Sequence, residues 1–359
     1  MNQADYEELI EKARGLEANP TKLSLLEQAV RIADSLGDRE LGFEARNDLI
    51  RTATFCGMAE KSLPAFSWCL AQIDANPEKF ETDEMLWEYK WILSAVRKFP
   101  MVTLKQIVEL ENDFERRLTN AGYSLRPFYD ARLSRLQYPE DAKEKEEYFQ
   151  RWRTSVRDHL ADCKACEEAS VASYYLETNQ PESGLRESFR ILGSRTGCHA
   201  VPHTTMAEML LPLHRAGRTE EARSLQLRGY RMISRNRDFL GYIGNHMEYL
   251  IHAGETALAL KMLVRHLPWA LETREFSNKL KFLHVASLVL DKVGDRRRKL
   301  KLPKDFPLYE SSDTYVPTQL SVWFRAESER VADLFDQRNG NRHQRNWMER
   351  TRAEVAECS

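Results

Sequence analysis

A chain of 359 residues, 42% hydrophobic and 30% charged, has enough apolar material for a large core and too much for disorder. Its 53 basic and 55 acidic residues leave a formal charge of −2, which argues against a nucleic-acid partner, because a dedicated nucleic-acid coat needs a large basic field. The opening Met1-Asn2-Gln3-Ala4-Asp5-Tyr6-Glu7-Glu8 lacks the basic-then-apolar order of a secretory signal. No apolar run approaches the roughly 20 residues that cross a bilayer, so the expectation is a cytoplasmic protein without a membrane partner. Six cysteines in such a chain read as reduced thiols.

From the N-terminus onward the pattern is helical, and alternating β-branched runs are scarce. Leu26, Ala29, Ala33 and Leu36 share one helix face. The same spacing recurs in Phe239, Ile243, Met247 and Leu250, and in Leu260, Leu263, Leu267 and Leu271. These are amphipathic helices of about 12–17 residues.

Two sets of breaks interleave. One falls at Asn19-Pro20, Gly57, Phe99-Pro100, Tyr138-Pro139, Asn179-Gln180-Pro181, Gly217, Gly254 and Gly294. The other falls at Gly37-Asp38, Asn76-Pro77, Asn120-Ala121-Gly122, Asp158 to Asp162, Gly197 to Pro202, Asn236 to Asp238, and Thr273. Each set recurs about every 37–44 residues, the mark of stacked helical hairpins. Gly and Asn close helices through left-handed caps, and Pro opens or blocks them.

Three of these turns carry a family likeness. Ala216-Gly217-Arg218-Thr219-Glu220-Glu221-Ala222 resembles the turn between the two helices, A and B, of a tetratricopeptide repeat. Ala253-Gly254-Glu255-Thr256-Ala257-Leu258-Ala259 is similar, as is Cys56-Gly57-Met58-Ala59-Glu60-Lys61-Ser62 with Asn76-Pro77 behind it. The period, about 39, exceeds the family's roughly 34, and the aromatic signature of helix A is mostly missing. The resemblance implies an all-α, right-handed superhelical solenoid of about seven antiparallel hairpins over residues 1–294; HEAT-like or irregular helical pairs are the alternative.

Residues 295–359 differ. Asp295 to Lys304 is a basic loop, and Pro303, Pro307 and Pro317 forbid one continuous helix. A capping helix is expected from about Gln319 to Asp336, packed through Val322, Ala326, Val331 and Leu334, with a short helix or frayed tail from Gly340. The run Arg296 to Lys304 could dock phosphate groups of nucleic acid or anionic lipid, although a solvated loop explains it as well.

The sharpest chemical pattern is Cys163-Lys164-Ala165-Cys166, followed by Cys198, His199 and His203. A C-x-x-C pair with a distant Cys and a His is a plausible Cys₃His zinc set, and a hairpin returns its end to its beginning. Cys163, Cys166, Cys198 and His203 (or His199) are therefore the metal candidates, for a structural zinc. Small cysteines filling gaps between helices, and a reversible Cys163–Cys166 disulfide, are the competing readings. Cys56 and Cys69 read as core, and Cys358 as tail.

Helix A lines the concave groove in tetratricopeptide repeats, so the resemblance makes Tyr242, Asn245 and Tyr249, with His246 beside them, candidates to hold an extended peptide. By the same resemblance Asn47 and Arg51 look like part of a carboxylate clamp. Tyr129, Arg132 and Arg135 form a similar basic–aromatic stripe. No P-loop, H-E-x-x-H, G-x-S-x-G or dinucleotide fingerprint occurs. The expectation is a non-catalytic scaffold for a protein or peptide partner, with a ligand- or zinc-responsive regulator as the alternative.

Overall fold

The structure, a computed structural model, describes residues 2–80, 82–136, 139–194 and 197–357. Among these the chain is all-α apart from one short ladder. The helices are α1 (Gln3–Arg14), α2 (Pro20–Leu36), α3 (Arg39–Phe55), α4 (Ser62–Ala75), α5 (Thr82–Arg97), α6 (Leu104–Asn120), α7 (Arg126–Arg135) and α8 (Ala142–Thr154). They continue with α9 (Lys164–Glu177), α10 (Pro181–Gly193), α11 (His203–Arg215), α12 (Thr219–Ile233), α13 (Leu240–His252), α14 (Thr256–Glu272), α15 (Phe276–Val293), α16 (Pro317–Asn339) and α17 (His343–Glu357). The sequence breaks fall between helices; at Tyr138-Pro139, Tyr138 lies outside the described residues, as does Cys358. No described helix is long and apolar enough to cross a membrane.

Two compact units divide the chain, Met1–Ala161 and Asp162–Ser359. In the first, α3, α5 and α7 pack in succession, with α4, α6 and α8 each set against the odd helix before it. In the second, α9, α11, α13 and α15 follow one another, and α10, α12 and α14 pack back in the same way. Each unit has its own apolar core.

The turns explain this regularity. Gly217 has φ +71° and Gly254 φ +75°, the left-handed region that a Cβ makes costly. Around them the Arg218 amide donates to the Leu213 carbonyl at 2.9 Å and the Glu255 amide to the Leu250 carbonyl at 2.8 Å. These six-to-one bonds satisfy the last carbonyls of α11 and α13 and reverse the chain. Crossings are close: a Cβ at Gly229 of α12 would lie 3.2 Å from Met206 Cβ of α11 and 3.2 Å from His246 Cε1 of α13.

The C-terminal segment belongs to the second unit. Arg298–Lys299 (β1) pairs antiparallel with Thr314–Tyr315 (β2), so the basic loop is tied down, with Leu300 and Leu302 buried. α16 lies along α15, and α17 packs on α16. The buried stripe of α16 is Leu320, Phe324, Val331 and Phe335, whereas the expected Val322 is 63% exposed and Leu334 36%. The aromatic stripe hides more apolar area than the Val/Leu face would, and burial follows area. α15 is buried almost all round from Leu280 to Leu290, and its cover extends to α17, where Thr351 Oγ1 stands 2.5 Å from His284 Nε2.

Candidate metal centre

Cys163 caps the N-terminus of α9, its Sγ accepting the Cys166 amide at 3.4 Å. Cys166 follows on the first helical turn. Cys198 sits between α10 and α11, in a turn closed by its own amide donating to the Val201 carbonyl at 3.0 Å. The Val201 amide donates to Cys198 Sγ at 3.4 Å. The hairpin α9–α10 therefore does bring its end back to its beginning. All three sulfurs lie within 4.8 Å of one another, and Cys166 Sγ is 3.3 Å from Cys198 Sγ. None is in a disulfide.

The floor of the cluster is small and apolar: Ala165, Ala172, Ile191 and Val201. Burial, together with the hydrogen bonds of Cys198 and Cys163, pushes the Cys166 thiol pKa up. Burial also opposes ionisation of Cys198, but the amides of Val201 and Ala200 and the neighbouring thiols outweigh it and bring its pKa below the ordinary value. Cys198 therefore gives up its proton more readily than Cys166. A divalent cation would relieve that competition by taking the sulfurs together. Zn–S bonds of about 2.3 Å set tetrahedral sulfurs roughly 3.8 Å apart, and the three cysteines fit one face of that tetrahedron.

His203 stands outside the cluster. Its ring meets Phe239 edge-on at 4.8 Å between centroids, and neither ring nitrogen has a hydrogen-bond partner among the described residues. Burial and the charge of His199 lower its pKa. His199 stacks on Phe239 at 5.4 Å, with Nε2 3.7 Å from Asp238 Oδ2. Both imidazoles are thus packed on Phe239 at the foot of α13.

The stripe expected on α13 separates into two sides. Asn245 lines an open cavity of about 680 Å³ together with Ser173, Glu177, Glu208, Glu248 and Lys281. His246, the next residue and about 100° round the helix, is fully buried against Gly229. Neither of its ring nitrogens is hydrogen-bonded, and burial pushes its pKa down to about 3. Tyr249 is buried, edge-on to His214 at 5.9 Å, and Tyr242 is half-buried. Packed by α11, α14 and α15, α13 offers the cavity only the narrow line of Asn245 and Glu248.

Glu208, on α11, was not among the sequence candidates. It accepts a hydrogen bond from Ser173 Oγ at 2.6 Å. Burial raises its pKa to about 7; the Ser173 hydrogen bond works against this, and the charge of Glu177 adds to it. Across the cavity Lys281 pairs with the buried Glu248, and Arg215 meets Glu354 at 2.7 Å.

In the first unit the arginine and tyrosine candidates are engaged within the chain. Arg51 Nη2 contacts Glu84 Oε1 at 2.8 Å, with Glu88 Oε1 at 3.9 Å, so α5 already supplies through Glu84 the carboxylate that a clamp would take from a ligand. Asn47 is half-buried, and its Oδ1 has no partner. Arg132 Nη1 meets the fully buried Glu111 Oε2 at 2.5 Å, and Arg135 Nε meets Glu111 Oε1 at 3.0 Å. Tyr129 packs on Phe128 and Tyr148 at 5.6 and 6.0 Å.

No protein-family model matches the chain, and no curated protein matches it.

Proposed function

We propose that this chain is a non-catalytic binding scaffold built of tetratricopeptide-like helical hairpins, which holds a peptide segment of a protein partner in the cavity beside Asn245. The observation that carries the reading is that cavity. It is walled by α9, α11, α13 and α15, the helices that would be the A helices of successive repeats, and by α17 through Trp347, Arg350, Thr351 and Glu354. Repeat folds put their concave face to this use because a long curved surface comes with the stacking. Amide, hydroxyl and carboxylate groups at the wall suit the hydrogen-bonding groups of an extended backbone.

A photo-crosslinking residue placed at Asn245 tests it, against a control at the exposed Leu227 of α12. The expected result is one partner captured from Asn245 only, and lost when Glu208→Arg is added to a folded protein. Equal capture from both positions would overturn the cavity as the binding site.

The three sulfurs support a second reading, in which zinc sets the shape of this surface. Cys163, Cys166 and Cys198 would hold the ion, and its fourth position would fall to water or to an incoming group. Metal acts as a switch only if it favours one conformation. About one zinc per chain, lost in Cys166→Ser, with capture from Asn245 falling on chelation, is the expected result. Zinc bound with capture unaltered would leave a staple and no switch.

A further inference from the structure

A second cavity, sharing no residue with the one beside Asn245, opens between α14 and the segment that follows α15. Its volume is about 680 Å³, within the size range of small-molecule sites. Six cations line it: Lys261 and Arg265 from α14, Lys292 from α15, and Arg298, Lys299 and Lys301 around β1. No aspartate or glutamate is among the described lining residues. In a chain of net charge −2, this is a strong local excess of one sign.

Solvation alone does not account for it. Exposed cations on helices usually find a carboxylate three or four residues away, as Arg218 does with Glu221. Lys261, Arg298, Lys299 and Lys301 have no ion-pair partner among the described residues. Their positions are also fixed. β1 is held by its ladder to β2, and the Leu300 amide donates to the Asp313 carbonyl at 2.8 Å. Like charges held together this way repel, and the field favours an anion at their centre.

The floor is apolar. Leu260, Val264, Val293 and Leu300 lie beneath the cations, and Leu300 is buried while the basic residues beside it are exposed. A patch for inorganic anions has no use for such a floor, and an apolar patch has no use for six cations. The combination selects one chemistry. We propose that this cleft binds an amphiphilic anion, a small molecule with an apolar body and a phosphate or carboxylate head. The head sits among Lys261, Lys299 and Lys301, where Arg265 and Arg298 can add bidentate bonds. The body lies on Leu260, Val264 and Val293.

Isothermal titration of the full chain with decyl phosphate, below the concentration at which it forms micelles, tests the cleft. One molecule per chain is expected. Octyl phosphate should bind roughly fifteenfold more weakly, since each of the two missing methylenes contributes roughly a factor of four. Inorganic phosphate and the uncharged decyl maltoside should each bind at least about tenfold more weakly than decyl phosphate. The double variant Lys261→Glu with Lys299→Glu should lose at least about tenfold with its circular dichroism unchanged, whereas Lys105→Glu, on the exposed face of α6, should lose nothing. Decyl maltoside binding as tightly, inorganic phosphate binding as tightly, or full affinity in the folded double variant would each overturn the proposal. Phosphatidylglycerol vesicles identify the source of the head. Retention on vesicles as well as decyl phosphate binding supports a lipid head, and decyl phosphate binding alone supports a free anion. Retention on vesicles without decyl phosphate binding would overturn the cleft in favour of a flat surface effect.

Discussion

The two units bury polarity in different ways. In Met1–Ala161 the buried polar groups are mostly ions that have found partners: Arg46 with Asp34 at 2.8 Å, Arg117 with Asp74 and Asp113 at 2.7 Å each, and Arg132 and Arg135 with Glu111. In Asp162–Ser359 hydroxyls and acids are buried too, but what sets the unit apart is four buried imidazoles, His203, His246, His266 and His284. The difference shows where a binding face can survive. Facing helices that answer each other's charges leave nothing for a partner, as at Arg51 and Arg132. In the second unit, polar groups such as Asn245 and Glu208 remain at the wall of a cavity.

Breaking one of the paired ions tests this contrast most severely. Glu111→Ala leaves Arg132 and Arg135 facing a buried void, and should cost Met1–Ala161 about 3–5 kcal/mol, read by urea unfolding with hydrogen exchange to locate the loss. Unchanged protection in α6 and α7 would show the triad to be dispensable.

Glu88 is the exception within its unit. It is fully buried, neither oxygen is hydrogen-bonded, and burial raises its pKa to about 9 against the pull of Arg51. A raised carboxylate pKa means that the folded state holds a proton the unfolded state has released. Stability is therefore fully present below about pH 4.5 and is lost as pH rises towards 9. Glu88→Gln should remove that slope and gain roughly 5 kcal/mol at pH 8. A slope that persists would place the linked proton elsewhere.

The imidazoles impose the opposite dependence. Burial holds His246 near 3, His266 near 4 and His284 near 3, so the folded state refuses protons that the unfolded state accepts. Their stability is present above about pH 6.5 and is lost as pH falls towards 3. At pH 4 the fully buried His246 alone accounts for about 3 kcal/mol, and His246→Leu should recover it. Exchange that rises at low pH in Met1–Ala161 before Asp162–Ser359 would break the contrast. The smallest effect sharpens it: Asn245→Ala, at a half-buried wall, should change stability by no more than about 0.5 kcal/mol, so any loss of capture there reports binding.

Helices and their breaks were legible because Gly, Asn and Pro act locally, as at Gly217, Gly254 and Pro181. The three cysteines were legible because a hairpin has a fixed geometry. What could not be read was the partner of each polar side chain. Arg51 and Glu88 are 37 positions apart in sequence, and only packing brings α3 and α5 together. His203 followed the bulk of Phe239, a residue no metal motif contains. Glu208 did leave a trace: it interrupts the apolar run from Met206 to Leu211. A single charge in such a run implies that something polar meets it. Glu248 and Lys281 interrupt theirs in the same way, and they meet each other.

Helix α15 is the last of the successive helices α9, α11, α13 and α15, and what covers it decides how sticky the end of that row is. Every other hairpin turn joins its helices in a few residues, but α15 reaches its partner α16 only after the β1–β2 excursion. With Phe282, Leu283, Val285 and Leu288 shut in, α15 has no face left on which another hairpin could stack. A truncation that removes α16 would turn this covered helix into an adhesive surface.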